Sequence, residues 1–303
     1  MLPKEISAKA PPVKIQGIKT KLVPYIARHI KWDGKGKWIE PFTGSGAVAF
    51  NIQPNKALLA DTNVHLINLY SAIQSKRLTA GSLQDYLFKE GEKLRTIGEE
   101  HYYDIRKRFN DEGSPYDFIF LNRSCFNGVV RFNSKGKFNV PFCRKPDRFR
   151  PALVTKICNQ VAWLGKVLHG KDWDFVCQPW EKTLAASEPS DFVYLDPPYV
   201  GRHTDYYNQW DEAAADNLAI KVRQLKCGFA YSMWRKNQYR ENTHLDQHFA
   251  DCKFIDIEHF YHVGSSEELR NAMVETLIIS DENFIPDLGE DKKSSGDLQI
   301  ALL

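Results

Sequence analysis

A four-residue apolar run, Phe192-Val193-Tyr194-Leu195, stops at Asp196-Pro197-Pro198-Tyr199, and this junction constrains the fold of the 303-residue chain more than any other stretch. A short apolar run bounded by turn residues is the pattern of a strand buried on both faces, as in parallel sheets. Two consecutive prolines fix φ and remove two backbone donors, so the chain must leave that strand through a stiff turn. The turn then lies at the carboxyl edge of a sheet, where open α/β folds bind their ligands.

The rest of the chain supplies a sheet for that strand to join. Residues 37–42 read as a short strand running into Thr43-Gly44-Ser45-Gly46, with a helix from Ala47, and a second strand over 56–60 ends at Asp61. Strand, glycine turn, helix, strand and acid is the order of a Rossmann-type βαβ unit. A helix is expected over 19–29, and further strands at 175–177, 227–233 and 273–279. Residues 66–109 are charge-rich and helical in pattern, while 126–142 alternate apolar and polar positions around Asn133-Ser134-Lys135-Gly136-Lys137, a hairpin signature. The expected division is a catalytic domain formed by 1–65 and 172–282, an inserted module at 66–171, and an acidic, flexible tail at 283–303.

The net charge of +3 at pH 7 conceals an uneven distribution. Residues 121–150 carry eight basic side chains against one acid, whereas the chain from Asp281 onward has six acids and two lysines. The first of these segments is a basic patch suited to a polyanion. No apolar run approaches the roughly 20 residues that span a bilayer, and residues 1–5 lack the apolar region of a secretory signal. A cytoplasmic location without a membrane partner is therefore expected. The cysteines (Cys125, Cys143, Cys158, Cys177, Cys227 and Cys252) form no Cys-x-x-Cys pair and have no histidine nearby at ligand spacing. Neither a disulfide framework nor a metal is expected.

Glu40-Pro41-Phe42-Thr43-Gly44-Ser45-Gly46 lacks the Gly-Lys-Ser/Thr ending of a phosphate-binding loop and has only two close glycines, which argues against ATP. It suits a nucleoside without a pyrophosphate. Phe42, Gly44 and Gly46 shape the ligand-facing loop, Asp61 accepts hydrogen bonds from two ribose hydroxyls, and Glu40 pairs with an amino acid's ammonium group. Taken alone, the same turn is equally a tight turn at a helix start.

The tetrapeptide has a more specific chemistry. The Asp196 carboxylate and the Pro197 carbonyl can each accept one hydrogen of an exocyclic amino group, and Tyr199 offers a ring for stacking. The lone pair of such an amine is delocalised into its base, so it must be drawn toward tetrahedral geometry before it can attack a methyl donor. Two fixed acceptors that bind the developing positive charge better than the planar ground state lower that barrier. A base in a duplex reaches them only when flipped out. A rigid loop with a core tyrosine is the plainer reading of Asp-Pro-Pro-Tyr, disfavoured once the glycine turn and Asp61 are counted with it.

On these residues the chain resembles the Dam family, the D12 class of DNA adenine-N6 methyltransferases, from about residue 14 to residue 280. Four blocks carry the likeness: K-I-Q-G-I-K-T-K-L-V-P over 14–24; Glu40 to Gly46 with Asp61; the tetrapeptide; and Asn122-Arg123-Ser124-Cys125-Phe126-Asn127-Gly128 with Arg131-Phe132-Asn133, continuing to Phe142. The resemblance implies an α/β fold, a Rossmann-like SAM-dependent methyltransferase sheet with an inserted helical and β-hairpin DNA-recognition domain. It implies S-adenosylmethionine (SAM) as cofactor, touched by Lys19, with Trp180 in the pocket for its adenine. In the recognition hairpin it implies that Arg131 reads a guanine while Phe126 and Asn127 enter the stack beside an extruded adenine. Arg is suited to the O6 and N7 acceptors of guanine. Arg123, Asn133, Lys135, Lys137 and Arg144 complete the expected DNA contacts. Two positions depart from the family pattern: Ile15 and Ile18 replace a tryptophan and a glycine, and Gln178-Pro179-Trp180 stands where relatives often carry Asp-Phe.

The expected function is site-specific methylation of adenine N6 in double-stranded DNA at a GAT-containing site, by a monomer. The setting is a restriction–modification system with a cognate endonuclease, or a phage or orphan enzyme. Cytosine N4 and RNA adenine also offer exocyclic amines and are the alternative substrates. A non-catalytic DNA-binding protein is disfavoured by the intact Asp196, Tyr199, Asp61 and glycine turn. Arg202-His203-Thr204-Asp205-Tyr206-Tyr207 reads equally as a flap over the flipped nucleotide and as a solvated loop.

Overall fold

Every residue of β4 (Phe192–Leu195) is buried, as its unbroken apolar character requires, and it lies beside β1 (Trp38–Glu40), also buried throughout. Both belong to the seven-stranded sheet of the computed structural model, which describes residues 2, 6–199, 210–236, 242, 244–260 and 272–286. The other strands are β2 (Lys56–Asp61), β3 (Asp172–Cys177), β5 (Gly228–Lys236), β6 (Lys253–Phe260) and β7 (Ala272–Ile279), in the order β3-β2-β1-β4-β5-β7-β6. Strands β3, β2, β1, β4 and β5 run parallel, β7 is antiparallel to β5, and β6 is antiparallel to β7. The chain winds outward from β1 through β2 to β3, then restarts at β4 on the other side. The carboxyl ends of β1 and β4 therefore frame a topological switch point, the crevice in which such sheets bind ligands.

Helices cover both faces. On one side are α1 (Val23–His29), α2 (Ala47–Ile52) and α3 (Val64–Gln74), the last packed on β2 and β3. Their apolar core is continuous with α4 (Ala80–Ile97), α5 (Glu99–Glu112), α6 (Pro115–Ser124) and α7 (Pro151–Leu168) through Leu83, Leu94, Tyr102, Phe118 and Val161. The segment between β2 and β3 thus shares a core with the sheet. On the other side α8 (Trp180–Ala185), α9 (Glu212–Arg223) and α10 (His244–Phe249) bury Leu184, Leu218 and Phe249 against Val193, Leu195 and Tyr231.

Several local expectations are corrected. The first helix begins at Val23 rather than residue 19, because Pro24 occupies its first turn, where a missing N–H costs nothing. Residues 126–142 close on themselves in the antiparallel sense of a hairpin without forming a ladder: the bridges are Cys125 to Phe142 and Phe132 to Phe138. Between them Phe126–Gly128 forms a 3-10 turn with Asn127 at φ 53°, and the Asn133 side chain accepts from the backbone N–H groups of Lys135 and Lys137, both at 3.0 Å. Helix α7 and strand β6 were not anticipated. Residues 283–286 dock on α1, where Ile285 N donates to His29 O at 2.8 Å; the remainder of the expected tail lies outside the described residues. Among the described residues no helix is long and apolar enough to cross a membrane.

Candidate active site

A cleft of about 600 Å³ opens at the switch point. Its walls include Lys19, Glu40, Phe42, Gly44, Asp61, Trp180, Asp196, Pro197, Pro198 and Tyr199, so the cofactor and catalytic residues expected from the sequence share one cavity, apart from Gly46, which lies in the turn beneath it.

The tetrapeptide is held from two distant segments. Lys19 Nζ lies 2.9 Å from Asp196 Oδ1 and 3.6 Å from Glu275 Oε1 on β7, and donates to Gly17 O at 3.0 Å. Tyr199 donates its hydroxyl to Glu275 Oε1 at 2.8 Å, and the Lys19 ammonium stands 5.1 Å from the centre of the Tyr199 ring. Lys19 and Glu275 are buried, whereas Asp196 keeps 21% of its side chain exposed to the cleft. Burial raises the Asp196 carboxyl to about 6; Lys19 opposes the rise and Glu275 adds to it. Lys19 was expected at the cofactor. It lines the cleft and also pairs with the Asp196 carboxylate.

The glycine turn is built around Asp61. Gly44 N donates to Asp61 Oδ2 and Asn63 N to Asp61 Oδ1, each at 2.8 Å, while Tyr70 donates its hydroxyl to Gly44 O at 2.7 Å. Burial raises the Asp61 carboxyl above its ordinary value, and the backbone donors oppose this. Gly44 and Gly46 take φ values of 48° and 69°, a left-handed conformation that glycine adopts without steric cost. Glu40, at the end of β1, accepts from Trp38 Nε1 at 2.8 Å. Burial pushes its carboxyl up to about 8, against the Trp38 and Ala49 N–H groups and with a contribution from Asp196. Phe42 packs edge-to-face on Trp210 at 5.6 Å, and the buried Trp180 opens α8.

The segment 126–142, expected to recognise DNA, reaches the same cleft. Val129, Val130, Phe132 and Gly136 line its rim, and Phe132 stacks on His65 at 5.1 Å. Phe126 is 55% exposed at its 3-10 turn, and Arg131 Nε donates to Asn139 Oδ1 at 2.9 Å. Lys135 and Arg144 are exposed, whereas Lys137 is bonded to Asn110 O and lies 3.6 Å from Asp111. Arg123 departs from expectation. It is buried, donating to Pro12 O and to Gln160 Oε1 at 2.7 Å, because it ends α6 on the face turned toward α7 and the amino-terminal segment. It serves as an internal brace rather than a DNA contact.

Glu275, Tyr70, His65 and Trp210 were not singled out from the sequence. A charged residue inside the apolar run Met273-Val274-Glu275-Thr276-Leu277 was a usable signal, since a buried acid requires a partner. Residues 202–207, read above as a flap or a solvated loop, lie outside the described residues.

The family model of the D12 class N6 adenine-specific DNA methyltransferases matches residues 16–265. The DNA adenine methylase of Serratia marcescens is 31% identical over 223 residues, covering 70% of this chain and 77% of that protein. The DNA adenine methylase of Vibrio cholerae serotype O1 is 31% identical over 224 residues (69% and 76%), and that of Escherichia coli strain K12 is 31% identical over 193 residues (62% and 64%).

Proposed function

This chain belongs to the D12 class of N6 adenine-specific DNA methyltransferases, and from that premise we propose that it moves a methyl group from SAM to N6 of an adenine flipped out of double-stranded DNA at a GAT-containing site. SAM, when bound, supplies an electrophilic methyl group on a sulfonium centre. The donor set suits a nucleoside joined to an amino acid. Gly44 N–H holds Asp61 Oδ2 and Asn63 N–H holds Oδ1, and the carboxylate's further acceptor capacity suits ribose hydroxyls. Glu40 gives up its proton to face an ammonium group, and a side chain at Gly44 would stand in open space, so the turn leaves room beside its backbone.

The base is managed by the tetrapeptide. Lys19 occupies Asp196 Oδ1, leaving Oδ2 and the Pro197 carbonyl for the two hydrogens of the amine. The ammonium of Lys19 keeps Asp196 ionised in a half-dry site, where an anion stabilises positive charge developing on the amine more than it would in water. Tyr199, fixed by Glu275, stacks on the base. Proton loss from the methylated amine goes to water. Arg131 reads the guanine, Phe126 and Asn127 fill the gap in the duplex, and Asn133, Lys135, Lys137 and Arg144 contact its backbone. The inserted segment 66–171 is the target-recognition module.

One observation carries this reading: the Asp61 loop, the Asp196 turn and the rim of the recognition segment face a single cleft. Methylation mapping of DNA treated with purified protein and SAM tests it. N6-methyladenine in GAT is expected; unmodified DNA overturns the activity, modified adenines without a preceding guanine overturn the site, and N4-methylcytosine would select the alternative base. We further propose that the protein acts as a monomer within a restriction–modification system. Plasmid DNA from expressing cells should then resist a cognate endonuclease.

A further inference from the structure

Away from the cleft, α10 presents two histidines one helical turn apart to a carboxylate on α9. His244 Nδ1 lies 3.1 Å and His248 Nε2 2.9 Å from the same oxygen, Asp216 Oδ1, and the two rings are 4.6 Å apart. All three potential ligand atoms lie within 4.8 Å of one another, and among the described residues this is the metal-competent cluster of His, Cys, Asp and Glu. We propose that Asp216, His244 and His248 bind a divalent transition metal of the zinc class, which clasps α9 to α10.

The chemistry and geometry agree. Two imidazoles and one carboxylate form a donor set that holds zinc, cobalt or nickel, with solvent in the remaining position. Bonds of roughly 2.0–2.1 Å in tetrahedral geometry place ligand atoms about 3.3 Å apart, so two of the three separations here need to widen by only a few tenths of an ångström. The ligands are preorganised, because Leu218 and Val222 of α9 and Leu245 and Phe249 of α10 share one apolar cluster. An ion has an approach path: the histidines are 15% and 20% exposed, and Asp216 is 48% exposed. The absence of a metal in the sequence reading rested on the cysteines. His244 and His248 stand at helical i, i+4 spacing, but Asp216 is separated from them by 28 and 32 residues, so no compact motif announces the whole set.

The test uses the full chain without an affinity tag, stripped with chelator and titrated with zinc sulfate or cobalt chloride. One equivalent per chain should bind, cobalt should give the intense visible bands of a tetrahedral site, and zinc at about a hundredfold excess over its Kd should raise Tm by about 5 °C. His248→Gln and Asp216→Asn should each weaken binding at least tenfold. Asp216→Asn, at a half-exposed position, serves where a histidine variant fails to fold. No uptake by the wild-type chain at micromolar zinc overturns the proposal, as does an equal Tm rise in Asp216→Asn or in the His244→Gln/His248→Gln double variant.

Discussion

The proposed reaction requires Asp196 to carry a negative charge in a cleft that disfavours one, and the groups around it set how well it succeeds. Burial lifts its carboxyl to about 6, Lys19 pulls it down, and Glu275 pushes it up. Below that pH a proton occupies the acceptor the amine needs, so kcat/KM should fall about tenfold per pH unit on the acid side. Lys19→Met should shift this acid limb to higher pH and Glu275→Gln should shift it lower. Profiles of the three proteins in which the limb stays in place would remove Asp196 from the titrating role. Glu40 gives a second prediction. With its carboxyl at about 8 in the free protein, it holds a proton at neutral pH and must release it to a cationic ligand. SAM binding should therefore release close to one proton at about pH 6.5 and tighten as pH rises from about 5.5 toward about 6.7, below the range where an α-amino group of pKa about 7.7–8.0 titrates appreciably. Calorimetry in two buffers of different ionisation enthalpy measures the release, which Glu40→Gln should abolish.

At the scale of elements, the turn between β1 and α2 separates stability from binding. Gly46 has φ 69°, and a Cβ there would lie 2.2 Å from the Phe50 ring, so Gly46→Ala should cost about 3 kcal/mol in chemical denaturation. Gly44 has φ 48° with open space around it, so Gly44→Ala should cost about 1 kcal/mol and act mainly on SAM affinity. Equal losses of stability would contradict this division. The same turn explains what could be read from the sequence. β1 and β4 and their turns are legible because each couples a short buried strand to residues with an unmistakable backbone demand, two left-handed glycines after the one and two prolines after the other, and β2 is legible as the next apolar run, ending at Asp61. The segment 126–142 was legible as a chain reversal but not in its form, since side chains such as Asn133 close its loops in place of a ladder. The Lys19–Asp196–Glu275 linkage was invisible, because each pair joins residues far apart in the chain and the sheet order that brings β7 near β4 has no local signal.

For the whole molecule, a net charge of +3 says little, because only cations that face DNA release counterions. The basic stretch 121–150 divides by what its side chains touch. Lys135 and Arg144 are exposed, Lys137 is held by Asn110 and Asp111, and Arg123 is enclosed between Pro12 and Gln160. Each phosphate contact contributes roughly 0.9 to the slope of log affinity against log salt on duplex DNA. The double variant Lys135→Ala/Arg144→Gln should therefore lower the slope by about 2, weaken binding to all sequences alike, and leave kcat at saturating DNA unchanged. Lys137→Gln should change it by less, since the protein already neutralises part of that charge. Arg123→Gln should leave the slope where it is and lower Tm instead, because a buried carbonyl and amide lose their shared donor. Salt titrations of DNA binding by the four proteins, with melting curves beside them, decide the matter: a reduced slope in Arg123→Gln with unchanged Tm would mean that the interior brace reaches the duplex after all.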